Sequence, residues 1–281
     1  MIRSASAAFF RSYHLLPQRL INQATARLMQ VQTPSAAVQA AIRLWIAASD
    51  IDMSDFADEP YDTLEAFFLR TLRPGARPLG PGLVSPVDGE VFAAGRITED
   101  TQLDVKGQRI SLERLVNGHR HSATLAPYDG GYYASVFLRP RGYHHIHAPL
   151  SSTLLRCQWL PGRFFPQNAQ ALSHIAGVYE RNERAALFFR VQGSTLPFVL
   201  VLIGASLVGG IHLQACPHEV WRVSQATQLE QPYEKGDRLG HFSFGSTVVM
   251  LLPRDLVRDF QLQPGMHLRM GQTVAGLHHA D

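Results

Sequence analysis

The chain of 281 residues is long enough for one large domain or two small ones, with a sizeable core in either case. Its net charge of +3 and the lack of a dense basic run argue against nucleic acid as a partner. No segment reaches the roughly 18 apolar residues of a membrane-spanning helix, and the start lacks the apolar core and cleavage site of a secretory signal.

The first 70 residues have the pattern of amphipathic helices. Between Met1 and Ser49 there are five arginines and no acidic residue, and apolar residues recur at spacings of three and four. A basic amphipathic segment of this kind is typical of binding to an anionic membrane surface. Two alternatives stay open: an arginine-rich transit peptide, or helices whose apolar faces pack on the protein's own core.

The helical arm is predicted to end at a proline- and glycine-rich break. Before it, residues 62–70 read as a short helix with Asp62 as N-cap and Glu65 three residues later, as in a capping box. The segment RPGARPLGPG at residues 73–82 then carries three prolines and three glycines. We therefore assign residues 1–72 to a membrane-associating arm and residues 73–281 to one catalytic body.

The body has short apolar segments separated by turn residues, which is the pattern of β-strands. The fold class is predicted to be α+β, with N-terminal amphipathic helices followed by a mostly β, sandwich-like or barrel-like body. A short helix is expected at residues 111–116. The predicted strands are 84–93, 132–138, 153–160, 185–191, 198–203, 207–213 and 242–252.

The two cysteines and two lysines exclude some chemistry. Cys157 and Cys216 lack Cys-x-x-Cys spacing, so we expect buried free thiols and no disulfide framework. Lys106 and Lys235 both lie in polar, glycine-containing turn contexts. Enzymes that use pyridoxal phosphate hold it on a lysine, so that cofactor is not expected here.

The segment SPVDGEV at residues 85–91 contains the first candidate acid. Asp88-Gly89 after Pro86 reads first as a turn, in which glycine supplies a positive φ. The alternative is a catalytic aspartate held on that turn by the strands on either side.

Three histidines fall within four residues of the segment RGYHHIHAPL: His144, His145 and His147. A zinc site, a set of structural strand-end histidines and a general base with a helper are all open, although no His-Glu-x-x-His motif is present. In a regular strand His145 and His147 share one face and His144 points away. A single site that uses both His144 and His147 would need a bend, which the following Pro149 allows.

The segment GHFSFGSTVVMLLP at residues 240–253 reads as an apolar strand interrupted by Gly245-Ser246. A glycine inside a strand marks a bend, a bulge or a close backbone approach. The sequence is not the Gly-x-Ser-x-Gly elbow of hydrolases. Together with an aspartate and a histidine upstream, Ser246 allows Ser-His-Asp chemistry, but many unrelated proteins contain one of each.

Seven ordered segments together resemble the phosphatidylserine decarboxylases, the bacterial and mitochondrial type with an N-terminal helical arm. The resemblance covers nearly the whole chain. That family usually has Leu-Gly-Ser-Thr at the last segment, where this chain keeps an apolar residue and has Phe244-Gly245-Ser246-Thr247. The segments are YDTLEAFFLRTLRPGARPL (61–79), SPVDGEV (85–91), YHHIHAP (143–149), LPGRFFPQN (160–168), NERAAL (182–187), IGASLVGGI (203–211) and KGDRLGHFSFGSTVVML (235–251).

The resemblance implies a role for four residues. Asp88, His147 and Ser246 are expected to form a self-cleavage triad that breaks the Gly245–Ser246 bond and leaves a large chain 1–245 and a small chain 246–281. Ser246 is expected to become a pyruvoyl group, the only cofactor, with no metal. His144 is expected to act on the substrate during decarboxylation.

The resemblance also implies an activity and its partners. The expected reaction converts phosphatidylserine to phosphatidylethanolamine and CO₂ through a Schiff base to the pyruvoyl group. Expected partners are phosphatidylserine in an anionic membrane, the two chains of one precursor and, as an option, a second copy in a homodimer. The basic arm then places the protein peripherally on the cytoplasmic face of the bacterial cell membrane, which argues against a transit peptide.

Two rival functions remain at this stage. The first is a serine hydrolase that uses Asp88, His147 and Ser246 without self-cleavage. The second is a non-catalytic, lipid-binding β module.

Overall fold

The structure is a computed structural model that describes residues 10, 12–98, 102–105, 107–117, 125–207, 210–216, 226–243 and 246–278. Helices lie mainly in the arm and strands in the body, so the α+β class is confirmed. The α-helices are α1 (Gln18–Met29), α2 (Ser35–Ser49), α3 (Leu64–Phe68), α4 (Leu112–Asn117), α5 (Ala169–His174) and α6 (Val178–Arg181), with 3-10 turns at Tyr13–Leu15 and Ala126–Tyr128.

The strands of the body are short and mostly antiparallel neighbours. They are β1 (Leu83–Val84), β2 (Gly89–Arg96), β3 (Gln102–Val105), β4 (Gln108–Ser111), β5 (Tyr132–Leu138), β6 (His145–His147), β7 (Ser152–Leu160), β8 (Arg184–Val191), β9 (Pro197–Ile203), β10 (Ile211–Leu213), β11 (Ala226–Tyr233), β12 (Arg238–Phe242), β13 (Ser246–Leu252), β14 (Val257–Arg258), β15 (His267–Leu268) and β16 (Thr273–Leu277).

One eight-stranded sheet organises the body, in the order β11-β7-β8-β9-β13-β5-β2-β15. Across the described residues this sheet stays open, so the body is sandwich-like and not a closed barrel. Two three-stranded sheets, β10-β12-β6 and β1-β16-β14, and the β3-β4 hairpin complete it.

Strand β13 lies in the middle of the large sheet and is buried on both faces. Val248 and Met250 belong to one core cluster, and Val249 and Leu251 belong to the cluster on the other face. A strand covered on both sides requires apolar residues at nearly every position, which explains the continuous apolar run in the sequence.

The prediction of a single strand at residues 242–252 is wrong. Strand β12 ends at Phe242 in a three-stranded sheet, and β13 begins at Ser246 in the eight-stranded sheet. Phe244 and Gly245 lie outside the described residues. The sequence shows one apolar run because both strands are buried, although they belong to different sheets.

Other boundaries also differ from the predictions. The strand expected at 84–93 is two strands, β1 and β2, separated by bends at residues 86–88. Of the strand expected at 207–213, only β10 is found, and residues 208–209 lie outside the described residues. The edge strand β11 was missed because its side chains are largely exposed and polar. The N-cap of α3 is Thr63 and not Asp62, since the Thr63 hydroxyl accepts a hydrogen bond from the Ala66 amide at 2.9 Å.

Helix α1 docks on the body through its polar face. Gln18 and Asn22 are buried; the Gln18 side-chain oxygen accepts from the Phe164 amide at 2.8 Å, and that of Asn22 accepts from the Leu207 amide at 2.9 Å. Leu20 and Leu28, on the other face, are each 65% exposed. Met29 at the end of α1 is buried, but Leu20 and Leu28 are not used for the protein's own core.

Helix α2, in contrast to α1, packs through apolar side chains. Its Val38 and Ile42 pack with Ile51 and Phe67 in a small cluster of their own. In the part of the chain that the structure describes, no helix is long and apolar enough to cross a membrane.

The two cysteines are buried free thiols, as expected. They are also neighbours in space, because their side chains hydrogen-bond to each other. That contact raises the pKa of Cys157 and lowers the pKa of Cys216. Their separation of 59 positions in the sequence hid this proximity.

Candidate active site

Ser246 is the first residue of β13 and is completely buried. It pairs with Leu138 of β5, and its hydroxyl has no hydrogen-bond partner among the described residues. A buried hydroxyl without a partner costs roughly 1–3 kcal/mol, so its presence calls for an explanation. A nucleophile at a strand end, next to the predicted cleavage point, provides one.

Asp88 lies in the segment between β1 and β2 and is bound by an arginine. The Arg77 guanidinium contacts both carboxylate oxygens, at 2.6 and 3.1 Å, and the Met270 amide donates at 2.7 Å. Arg77 also binds Asp55 at 2.7 Å, which connects the arm to this segment. Arg77 and the Met270 amide therefore hold the Asp88 carboxylate in position.

The expected turn with a positive φ at Gly89 is not found, since Gly89 has no such φ and begins β2. Glycine is required there for a different reason. A Cβ at this position would lie 2.7 Å from the Phe137 carbonyl oxygen of the neighbouring strand β5. The close approach of β2 to β5 is what the missing side chain allows.

The strand register brings Asp88 and Ser246 to the same end of the large sheet. Glu90 of β2 pairs with Phe137 of β5, and the next residue, Leu138, pairs with Ser246 of β13. Two strand spacings separate β2 from β13, which corresponds to about 10 Å.

His147 is held by a carbonyl group and a tyrosine. Its Nδ1 lies 2.7 Å from the Gly236 carbonyl oxygen, which can only accept, so Nδ1 carries the proton. Its Nε2 therefore accepts the hydrogen bond from the Tyr143 hydroxyl at 2.8 Å. In a Ser-His-Asp triad the aspartate binds Nδ1, but here the Gly236 carbonyl occupies that place.

Asp88 nevertheless lies near His147. The His147 amide donates to the Pro86 carbonyl at 2.9 Å, two residues before Asp88. Burial lowers the pKa of His147, and the hydrogen bond to Gly236 and the charge of Asp88 oppose that effect. Asp88 thus favours the protonated imidazole through its charge, without a direct hydrogen bond.

His144 has a different environment. Its ring lies against Phe68 of α3, with ring centroids 3.9 Å apart, and its Nδ1 donates to the Gly142 carbonyl at 3.1 Å. Its Nε2 is buried and has no partner within the described chain. Burial lowers the pKa of His144 to about 3, so the ring is neutral.

The three histidines follow the alternation expected of a strand. The rings of His145 and His147 both lie beside Tyr143, at 4.9 and 5.7 Å, whereas the ring of His144 packs on Phe68. His145 Nε2 donates to the Leu69 carbonyl at 2.8 Å. Within the described ranges, no three histidine, cysteine or acidic side chains meet in an arrangement suited to a metal ion.

Arg70 is a site residue that the sequence analysis did not single out. It is buried, and it donates to the Gly142 carbonyl at 3.0 Å, the same oxygen that accepts from His144. It also donates to the Arg141 carbonyl, and its guanidinium lies 4.2 Å from the centre of the Phe56 ring. A buried arginine cannot be told from an exposed one by sequence alone.

The ammonium group of Lys235 binds a backbone carbonyl, although Lys235 directly precedes Gly236, the partner of His147. Lys235 donates its ammonium to the Gly80 carbonyl at 2.9 Å. Lys106 lies outside the described residues.

Two of the cavities between the arm and the body lie beside the strand ends of the site. The apolar cavity has a volume of about 1070 Å³ and is lined by Phe10 and Tyr13 of the arm and by Phe137 and Ala205 of the body. The charged cavity has a volume of about 420 Å³.

The apolar cavity lies at the Ser246 end of the large sheet. Phe137 and Ile203 pair with Thr247 from either side, and Ala205 follows Ile203 by two residues. The cavity thus borders the strand ends on both sides of β13. Its lining residues Phe10 and Tyr13 belong to the core cluster of Val249 and Leu251, so the cavity lies on the face of β13 opposite to that of Val248 and Met250.

Comparisons with known proteins identify the family. The family model described as phosphatidylserine decarboxylase matches residues 64–276. Three similar proteins, each named phosphatidylserine decarboxylase proenzyme, come from Marinobacter nauticus, Azotobacter vinelandii and Methylibium petroleiphilum. Their identities to this chain are 32%, 34% and 38%, with 89%, 95% and 84% of this chain and 90%, 96% and 86% of the relative covered. This chain therefore belongs to the phosphatidylserine decarboxylase family.

Proposed function

We propose that the protein is an enzyme that decarboxylates phosphatidylserine to phosphatidylethanolamine, and that it first cuts its own chain between Gly245 and Ser246. The observation that carries this proposal is the location of Ser246. Its buried hydroxyl, which has no hydrogen-bond partner among the described residues, lies at the end of a central strand. A large apolar cavity borders the same end of the sheet.

A pyruvoyl group made from Ser246 fits this position. The hydroxyl that must begin the rearrangement has no competing hydrogen bond within the described residues. Strands β5 and β9 hold β13 from both sides, so the new end stays in place after cleavage. A pyruvoyl group supplies an electron-accepting carbonyl, which no ordinary side chain provides.

The two chains are expected to remain associated after the cut. The small chain 246–281 would contribute β13 to the centre of the large sheet and β15 to its edge. It would also contribute β16, which pairs with β1 of the large chain. Separating the chains would break all of these pairings.

His147 serves as the base for cleavage in this proposal. Because its proton is on Nδ1, Nε2 is the basic atom, and it becomes available when the Tyr143 hydroxyl turns away. Nε2 takes the hydroxyl proton of Ser246, the oxygen attacks the Gly245 carbonyl, and the amide C–N bond breaks as the released amine takes up that proton, which leaves an ester. The charge of Asp88 stabilises the imidazolium that forms. Loss of the α-proton of residue 246 then breaks the bond between its side-chain oxygen and carbon, so that Gly245 leaves as a carboxylate and residue 246 becomes a dehydroalanine. Its enamine tautomerises to an imine, which water converts to the pyruvoyl carbonyl with release of ammonia.

His144 acts later, on the substrate. With a pKa of about 3 it is neutral in the uncut chain, and its free Nε2 has no proton to give. An anionic headgroup beside it raises the pKa, so that Nε2 takes up a proton and can deliver it to the substrate carbon.

The apolar cavity is assigned to the acyl chains, and the arm to the membrane surface. Leu15, Leu20, Leu28 and Leu44 of the arm are at least 65% exposed, and no acidic residue precedes Asp50. This surface fits peripheral association with an anionic bilayer, such as the cytoplasmic face of a bacterial membrane.

Intact-mass analysis of the full-length chain tests self-cleavage. The unchanged protein should give fragments 1–245 and 246–281, the second with a blocked N-terminus, and should decarboxylate phosphatidylserine. Ser246→Ala should stay as one inactive chain, because it has no hydroxyl to start the reaction. The control is Ser243→Ala, which removes a nearby buried hydroxyl and should leave cleavage intact.

The same measurement separates the rival functions. An unchanged protein that is active as one uncut chain would contradict the pyruvoyl proposal and favour a serine hydrolase. An uncut chain that binds lipid and has no activity would favour the lipid-binding module.

A further inference from the structure

The two cavities share a strip of three charged residues: Glu90, Arg139 and Arg141. The strip borders the apolar cavity on one side and the charged cavity on the other. Its two arginines follow β5, the strand that pairs with Ser246, and Glu90 lies in the neighbouring strand β2. A ligand with apolar chains and a charged head would place the junction between them at this strip.

One of the two arginines is already neutralised. Arg139 donates to the Glu90 carboxylate through two of its nitrogens, with the Nε contact at 3.1 Å. The Arg141 side chain is exposed and makes no ion pair or hydrogen bond with the other described residues. Arg141 is therefore the cation of the strip that remains available to a ligand.

The backbone of Arg141 is fixed although its side chain is free. Arg70 is buried and donates to the carbonyl groups of both Arg141 and Gly142. The same Gly142 carbonyl accepts from His144, three residues after Arg141. The hydrogen bonds that Arg70 and His144 make to this segment therefore fix the Arg141 backbone relative to His144.

We propose that Arg141 binds the phosphodiester of the substrate lipid, with the acyl chains in the apolar cavity. This inference rests on the proposed function. In a serine phospholipid the phosphate lies between the acyl chains and the charged serine, as Arg141 lies between the apolar cavity and the charged cavity. A guanidinium binds phosphate oxygens in a bidentate manner, which fixes orientation as well as charge.

Lipid binding by the uncut Ser246→Ala protein tests this assignment without relying on turnover. The probe is dihexanoylphosphatidylserine in its monomeric form, followed by calorimetry. Arg141→Gln should weaken binding by about tenfold to a hundredfold, the usual effect of losing hydrogen bonds to a charged group. Arg141→Lys keeps the positive charge and should lose less affinity for the probe than Arg141→Gln does.

Arg190→Gln is the matched control. Arg190 is also an exposed arginine, but it pairs with Pro197 at the opposite end of β8 and β9 from Ile203. It should bind the probe as the parent does. Dihexanoylglycerol, which has no phosphate, should bind equally to all variants.

Several outcomes would overturn the assignment. They are unchanged affinity for the probe in Arg141→Gln, an equal loss in Arg190→Gln, or an equal loss for dihexanoylglycerol. Displacement of the lipid by inorganic phosphate at Arg141 would identify a site for the free ion instead.

Steady-state kinetics of the self-cleaving chain separates a wrong role for Arg141 from a wrong proposed function. Arg141→Gln should raise KM by a similar factor and leave kcat nearly unchanged. An unchanged protein that neither cuts itself nor decarboxylates phosphatidylserine would refute the function. Normal turnover with an unaffected KM in Arg141→Gln would refute only the role of Arg141.

Discussion

Asp88 and His147 come close together in the fold without forming the hydrogen bond of a Ser-His-Asp triad. The Gly236 carbonyl fixes the His147 tautomer, and Arg77 fixes the Asp88 carboxylate. Orientation of the base and stabilisation of its charge are therefore supplied by different groups. In hydrolases with a triad, one aspartate does both.

Asp88→Asn should therefore slow self-cleavage and not abolish it. Removing a nearby charge shifts the pKa of a histidine by about one unit, which corresponds to roughly a tenfold slower reaction. His147→Ala should abolish cleavage, because the basic atom is lost. The measurement is the fraction of cut chain over time on a denaturing gel. Complete loss of cleavage in Asp88→Asn would show that Asp88 moves to contact His147 directly.

At the scale of elements, helix α1 packs on the body through polar residues, whereas an amphipathic helix of a globular protein usually packs through its apolar side. Its polar residues Gln18 and Asn22 hold it to the body through backbone groups, and its leucines face outward. Hydrogen bonds to the backbone fix its position without using the apolar surface. That surface remains available for a membrane or a second copy of the chain.

The double variant Leu20→Ser, Leu28→Ser should fold normally but lose vesicle binding. Each exposed leucine that enters the lipid interface contributes part of about 1.5–3 kcal/mol, so the pair should change affinity by about tenfold or more. Co-sedimentation with phosphatidylserine vesicles measures it.

Met266→Ser is the control for this experiment. It replaces an exposed apolar residue of the body and should bind vesicles as the parent does. Retained vesicle binding in the leucine variant, together with a change from dimer to monomer in solution, would assign the surface to a homodimer and contradict the membrane role.

At the scale of the whole molecule, buried neutral histidines make the fold sensitive to acid. Burial is the largest cause that lowers the pKa of His144 and His241 to about 3 and of His145 to about 4. The unfolded chain binds these protons near pH 6.5. Their contribution to stability is therefore complete above pH 6.5 and is lost as the pH falls towards the folded-state values.

The free energy of unfolding should fall by about 1.4 kcal/mol per pH unit below pH 6.5 for each such histidine. Denaturant midpoints of the uncut Ser246→Ala protein between pH 7 and pH 5 measure this, above the range in which ordinary carboxylates titrate. His241→Gln removes one titrating group, which His212, His145 and Arg238 surround, and should reduce the slope. A midpoint that does not change over this range would contradict the lowered pKa values of the three rings.

Patterns within short windows could be predicted from the sequence. The apolar segments 132–138 and 198–203 correspond to strands β5 and β9, because a buried strand needs apolar side chains wherever it lies. The helical arm and the α+β class follow from local periodicity in the same way. Ser246 was recognised as a candidate from the interruption of an apolar run and from the order of seven segments.

Contacts between residues that are distant in the sequence determined the features that local patterns do not predict. Only the tertiary structure shows that residues 242–252 span two sheets, that Gly236 and not Asp88 accepts from His147, and that α1 turns its polar face inward. Hydrophobic periodicity reports which side chains are buried, but it carries no information about which distant group meets them. The sequence by itself therefore determined the buried, apolar strands and most candidate residues, whereas the pairing of strands determined where those strands end and which partners set the chemistry of the site.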